Sequence, residues 1–112
     1  MKHILSLSLA LLLGAAAAHA ADPTCKESRK GLATRAKVSC AEARKAALAA
    51  LGKPNLRIRS AELEEEKGKL LYSFDVERTG HQGVEEVQID AVSGQVISVA
   101  HETPATEAAE RD

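Results

Sequence analysis

Val87-Gln88-Ile89-Asp90-Ala91-Val92-Ser93-Gly94-Gln95-Val96-Ile97-Ser98-Val99 is the stretch whose reading decides the fold. Two runs that alternate apolar and polar residues flank a short turn, and successive side chains of a strand point to opposite faces. Val92-Ser93-Gly94 fits a three-residue hairpin loop with Gly94 in the left-handed position. That loop pairs Ala91 with Gln95, Ile89 with Ile97 and Val87 with Val99. The hairpin then has one apolar and one polar face, the pattern of an antiparallel sheet buried on one side.

Towards the N-terminus the same reading continues. Strands are expected near 56–66, 69–78, 84–91 and 95–100, and Lys67-Gly68 is a two-residue hairpin signal between the first two. It pairs Glu66 with Lys69, Leu63 with Tyr72 and Ala61 with Phe74. Thr79 to Val84 is a longer connection with two glycines, so here hydrophobic matching sets the register, with Phe74 opposite Ile89 and Val76 opposite Val87. The apolar face gathers Ala61, Leu63, Leu70, Tyr72, Phe74, Val76, Val87, Ile89, Ile97 and Val99. The same register turns Arg59 inward, so the first strand should start or bulge there. The other face holds Glu62, Glu64, Glu66, Ser73, Asp75, Glu77, Glu86, Gln88 and Asp90, with Leu71 and Val96.

One helix is available to cover the apolar face. Ser39-Cys40-Ala41-Glu42 is a capping box, in which the serine oxygen takes a backbone N–H and the glutamate reaches back to the cap. Alanine-rich sequence of high helix propensity runs on to Leu51, where Gly52 and Pro54 stop it. The stripe of Ala43, Ala46, Ala47, Ala50 and Leu51 permits close approach to a sheet. The expected class is α+β: one N-terminal helix packed on a four-stranded antiparallel β-meander.

These residues together resemble a PepSY domain over roughly Val38 to Val99. The helix start Ser39-Cys40-Ala41-Glu42-Ala43 with Ala46-Ala47-Leu48, the aromatic strand Leu71-Tyr72-Ser73-Phe74-Asp75-Val76 and the hairpin Val87 to Val96 carry the likeness. The D-A-x-x-G-x-V pattern of that hairpin is its most specific part. The resemblance implies a cystatin-like helix on an antiparallel sheet. It also implies an exported or membrane-associated setting, a regulatory or inhibitory role towards peptidases, and no shared catalytic residues. Asp90 and Gly94 are sufficiently explained by the turn they form.

The flanks suggest export. Met1-Lys2-His3, the apolar run Ile4 to Leu13 and Ala18-His19-Ala20 have the three parts of a cleavable signal peptide over 1–20, and the run is short for a membrane span. Residues 21–37 read as a polar, basic arm, 38–102 as the domain, and 103–112 as a disordered tail without apolar periodicity. Cys25 and Cys40 both fall in the exported part, where disulfides persist. One structural disulfide tethering the arm is the expected use. A two-cysteine metal site or free thiols are the rivals, and the spacing is not C-x-x-C.

Charge is divided along the chain. Residues 21–59 hold ten Lys/Arg and three Asp/Glu, whereas residues 60–112 hold four Lys/Arg and thirteen Asp/Glu. The near-balanced sum gives no basis for nucleic-acid binding by the domain as a whole. No nucleophile–base–orienter set and no phosphate-cradling glycine loop is visible, so no enzyme activity and no cofactor is expected. Glu62, Glu64, Glu66 and Glu86 are the candidate contacts for a protein partner. Single changes there, such as Glu64→Ala, are expected to leave stability nearly untouched. The functional expectation is a periplasmic or secreted protein-binding module that modulates a peptidase or envelope protein in trans, with no membrane insertion after cleavage. The alternative is a small periplasmic metal- or ligand-binding protein, with His81 and His101 near Glu85 as weak ligand candidates.

Overall fold

A computed structural model describes residues 25–53, 55–78 and 80–103. The expected signal peptide, the first residues of the arm and most of the expected tail lie outside them. The chain forms strand β1 (Lys26–Glu27), a 3-10 turn (Leu32–Arg35), helix α1 (Cys40–Ala50), and strands β2 (Arg57–Glu66), β3 (Lys69–Glu77), β4 (Val84–Asp90) and β5 (Val96–Glu102). The strands make one sheet in the order β1-β2-β3-β4-β5.

The capping box is present in full. The backbone N–H of Glu42 donates to Ser39 Oγ at 3.1 Å, and that of Ser39 donates to Glu42 Oε1 at 2.9 Å. The β2–β3 hairpin turns at Lys67 and Gly68, with φ of 51° and 82°. Two successive positive φ values suit the twist of a tight hairpin, and Gly68 takes its value without steric strain. The register of that hairpin is the one read from sequence, including Leu63 opposite Tyr72 and Ala61 opposite Phe74.

The meander of four antiparallel strands is joined by a fifth strand that the sequence did not announce. β1 pairs parallel with β2, Lys26 opposite Glu62 and Glu27 opposite Leu63, so the sheet is mixed. The described part of the arm therefore packs on the domain. A Cys25–Cys40 disulfide ties its start to the first turn of α1, and Leu32 is buried in the core. Arg29 and Arg35 both reach Glu65, Arg35 at 2.8 Å. Lys-Glu carries no strand signal of its own; the tether at Cys25 and the open edge of β2 make it one.

Two registers also differ. β4 lies two residues from its expected place: Tyr72 faces Ile89, Phe74 faces Val87 and Val76 faces Glu85. A slip of two preserves which face each side chain occupies, so hydrophobic pattern alone cannot detect it. The observed register lets Ala91 donate to Leu70 O at 3.0 Å, while Ala91 O accepts from Lys37 and Val38 in the segment leading into α1. In the last hairpin Val87 pairs with Val99 as expected, but Ile89 pairs with Val96, because the register shifts between Gln88 and Ile89 and leaves Ile97 as the extra residue. A second irregularity between Ile58 and Ser60 makes Arg59 the bulged residue. It returns Ile58 to the core side and keeps the arginine out of it.

Phe74, Val76, Val87 and Ile89 are fully buried under α1, whose Ala43 and Ala47 have no exposed surface. Small alanines bring the helix close to the aromatic side chains Tyr72 and Phe74. Close approach also governs the start of β4. A Cβ at Gly83 would fall 1.9 Å from the carbonyl oxygen of Glu102, so only glycine fits where β4 begins beside the end of β5.

Candidate functional site: an acidic sheet face

The face of the sheet away from α1 is built by alternation. β2 contributes Glu62, Glu64 and Glu66; β3 contributes Ser73, Asp75 and Glu77; β4 contributes Glu86, Gln88 and Asp90. Cross-strand pairing sets Glu64 beside Leu71 and Asp75 beside Glu86. Four carboxylates named from sequence as partner contacts, Glu62, Glu64, Glu66 and Glu86, are brought together here.

Glu64 feels both its own burial and these neighbours. Burial pushes its carboxyl up to about 7, and the charges of Glu62, Glu66 and Glu86 push the same way. Glu64 is half-buried, contrary to the fully exposed position that sequence alternation implied. Leu71 and Val84 lie on this face and are also buried, outside the main core cluster.

Elsewhere the carboxylates are already engaged. Asp90 accepts from the backbone N–H of Val92 and Ser93 at 2.8 and 2.9 Å, and these bonds hold its carboxyl below the usual carboxylate range. Lys69 lies 3.4 Å from it. Arg59 approaches Asp75 at 3.9 Å and Arg57 approaches Glu77 at 4.0 Å. Glu65 points to the helix side, where the Arg35 and Arg29 guanidinium groups hold its carboxyl at about 2. The described part of the basic arm thus anchors at Glu65 and does not lie over the acidic face.

His101 Nδ1 lies 3.2 Å from Glu85 Oε1, a cross-strand pair, and Arg78 lies 3.6 Å from the same oxygen. His81 sits in the connection before β4, its N–H donating to Arg78 O at 3.1 Å. Among the described residues, the group with three potential metal-ligand atoms within 4.8 Å of one another is Asp75, Glu86 and Glu102, which contains neither histidine. Arg59 beside Asp75 supplies positive charge there from the protein itself.

A cavity of about 250 Å³ lies between the arm, the start of α1 and the sheet, beside the disulfide. Its polar groups hold the arm in place. Tyr72 Oη donates to Val38 O at 2.7 Å, Glu27 Oε2 accepts from Ala33 N at 2.6 Å, and Thr34 Oγ1 donates to Gly31 O at 2.8 Å. No described helix is long and apolar enough to cross a membrane.

The family model described as "Peptidase propeptide and YPEB domain" matches residues 37–100. The chain belongs to the PepSY family. Neither a curated protein nor a solved structure matches it. The PepSY match spans α1 and β2 to β4 and ends within β5; the added strand β1 lies before it. A PepSY domain and a disulfide together suggest an extracytoplasmic protein.

Proposed function

We infer that this PepSY protein is a periplasmic or secreted binding module that regulates a peptidase or an envelope protein in trans, without catalysing a reaction. The observation that supports the reading is the acidic face, where Glu62, Glu64, Glu66 and Glu86 gather on one side of the sheet and burial, helped by the neighbouring charges, raises the Glu64 carboxyl to about 7. A basic partner docked there relieves that crowding. Membership of a family described by peptidase propeptides supplies the partner class. A charged face accelerates encounter with an oppositely charged partner, and salt shortens the reach of its field.

Crosslinking in the native envelope fraction tests the reading. The probes are the wild-type protein and a triple variant with Glu62→Gln, Glu64→Gln and Glu86→Gln. Capture of a partner by the wild type, loss in the variant and an association rate that falls with added salt are expected. Equal capture by both proteins, or a rate indifferent to salt, removes the acidic face from the function.

A further inference from the structure

The two outer strands of the sheet are unlike. The edge of β2 carries Arg57, Arg59, Glu62, Glu64, Glu65 and Glu66, and β1 covers it at Glu62 and Leu63. Charged residues and short covering strands are the usual protection against edge-to-edge pairing. β5 has neither. Among the described residues no strand lies beyond it, and from Val92 to Ala100 it carries no charge and no proline.

All the exposed large hydrophobic residues of the described chain lie on this strand and its turn: Val92, Val96, Ile97 and Val99, at 53%, 46%, 39% and 46%. The hydrogen-bonding groups of the edge can be placed as well. Successive residues of an antiparallel strand turn their N–H and C=O alternately to the two neighbours. Ala91 donates to Leu70 of β3, and Asp90 donates to Gln95 on the other side. Gln88 and Glu86 therefore face β5 and bond its partners Ser98 and Ala100, which leaves the N–H and C=O of Val99 and His101 on the open edge.

We propose that β5 is a self-association edge, pairing antiparallel with β5 of a second copy of this chain about a two-fold axis at Val99. An isologous contact needs a self-complementary patch, and this one is. Val99 meets Val99, Ser98 meets Ala100 and Ile97 meets His101, with no like charges opposed. The two copies of Glu102 fall about 20 Å apart at 3.3 Å per residue. The same operation on β2 would set glutamate against glutamate, which is unfavourable. The resulting sheet has both helices on one side and both acidic faces on the other, so one dimer offers two docking faces to a repeated or bivalent partner. The contact is small. Four half-exposed side chains and a short ladder give a few hundred Å² on each copy, against about 800 Å² per partner in a stable complex. The dimer is therefore a weak, concentration-dependent one.

Sedimentation equilibrium of the exported protein, from micromolar to millimolar concentration, tests this. The wild-type mass should rise towards twice the monomer value, and Val99→Lys should remain monomeric at every concentration with an unchanged melting temperature. Hydrogen exchange supplies a reading that needs no variant: the amides of Val99 and His101 should gain protection as concentration rises, while those of β2 do not. A wild type that stays monomeric at millimolar concentration overturns the proposal. A Val99→Lys variant that dimerises as well as the wild type, or protection that grows on β2 instead, also overturns it.

Discussion

The two faces of one sheet have opposite chemistry and opposite tolerance. On the helix side, Phe74, Val76, Val87 and Ile89 are sealed beneath alanines and are fully buried. On the far side the same strands present glutamates at alternate positions. The two faces come from the same residues of sequence, offset by one. What separates them is whether water remains: apolar area removed from water stabilises the fold by about 25 cal/mol per Å², whereas crowded carboxylates destabilise it. The difference teaches that one alternating sequence makes both a dry face and a charged one, and that on the charged face Glu64 is held partly out of water among like charges.

The largest expected effect lies on the helix side. Phe74→Ala should destabilise the protein by about 3–5 kcal/mol, the range for emptying a fully buried aromatic site. Urea denaturation with an unchanged midpoint would mean that Phe74 is not in the core. Next comes the tether. Replacing Cys25 and Cys40 together by alanine opens a cross-link with a sequence separation of 15, for which chain entropy gives about 3 kcal/mol. Thermal unfolding of this double variant should show the loss, and hydrogen exchange should show Lys26–Ser28 unprotected while β3 and β4 stay protected. Simultaneous loss of β3 protection would mean that the arm nucleates the whole sheet.

The acidic face gives smaller effects that depend on pH. Glu64 titrates at about 7 in the folded protein against 4.5 in an ordinary site, so the folded state holds the proton more tightly. The Glu64 contribution to stability is then fully present below about 4.5 and is lost as pH rises through 7. Glu64→Gln should match wild type at pH 4.5 and exceed it at pH 8. Solvent screening at this partly exposed site keeps the gain on the order of 1 kcal/mol. A variant less stable than wild type at pH 8 would show that Glu64 has a favourable partner. Glu65 behaves in the opposite sense. Its carboxyl titrates at about 2, so its link to Arg29 and Arg35 is fully present above 4.5 and is lost as pH falls towards 2. Glu65→Gln should flatten the acid limb of the stability profile in circular dichroism. The smallest effect is expected at Glu66, exposed at the end of β2, where Glu66→Gln should change stability by less than about 0.5 kcal/mol.

Much of this was legible in the residues. The capping box at Ser39 and Glu42, the stop at Gly52 and the turns at Lys67-Gly68 and Val92-Gly94 are local signals. They act between neighbours in sequence, so reading them needs no knowledge of the rest of the fold. The inner and outer faces follow from a period of two, and two cysteines allow only one intramolecular disulfide, the one the structure contains. The candidate carboxylates followed in the same way, since alternation alone puts Glu62, Glu64, Glu66 and Glu86 on one face.

Tertiary structure decided what depends on distant partners. Lys26-Glu27 becomes a strand through partners distant in sequence: the open edge of β2, the disulfide to Cys40 and the links of Arg29 and Arg35 to Glu65. The register of β4 against β3 was undetermined, since the 78–83 connection is long enough for two pairings and both keep the apolar side chains inward. The extra residue at Ile97 moved Val96 to the helix side. The raised titration of Glu64 needed its burial in the folded sheet first, and then the charges of Glu62, Glu66 and Glu86 from two separate hairpins. Away from the bulges at Arg59 and Ile97, periodicity settles which face a side chain occupies; which neighbour it meets is fixed by long-range pairing, and the charge of Glu64 and the exposed edge of β5 both depend on that neighbour.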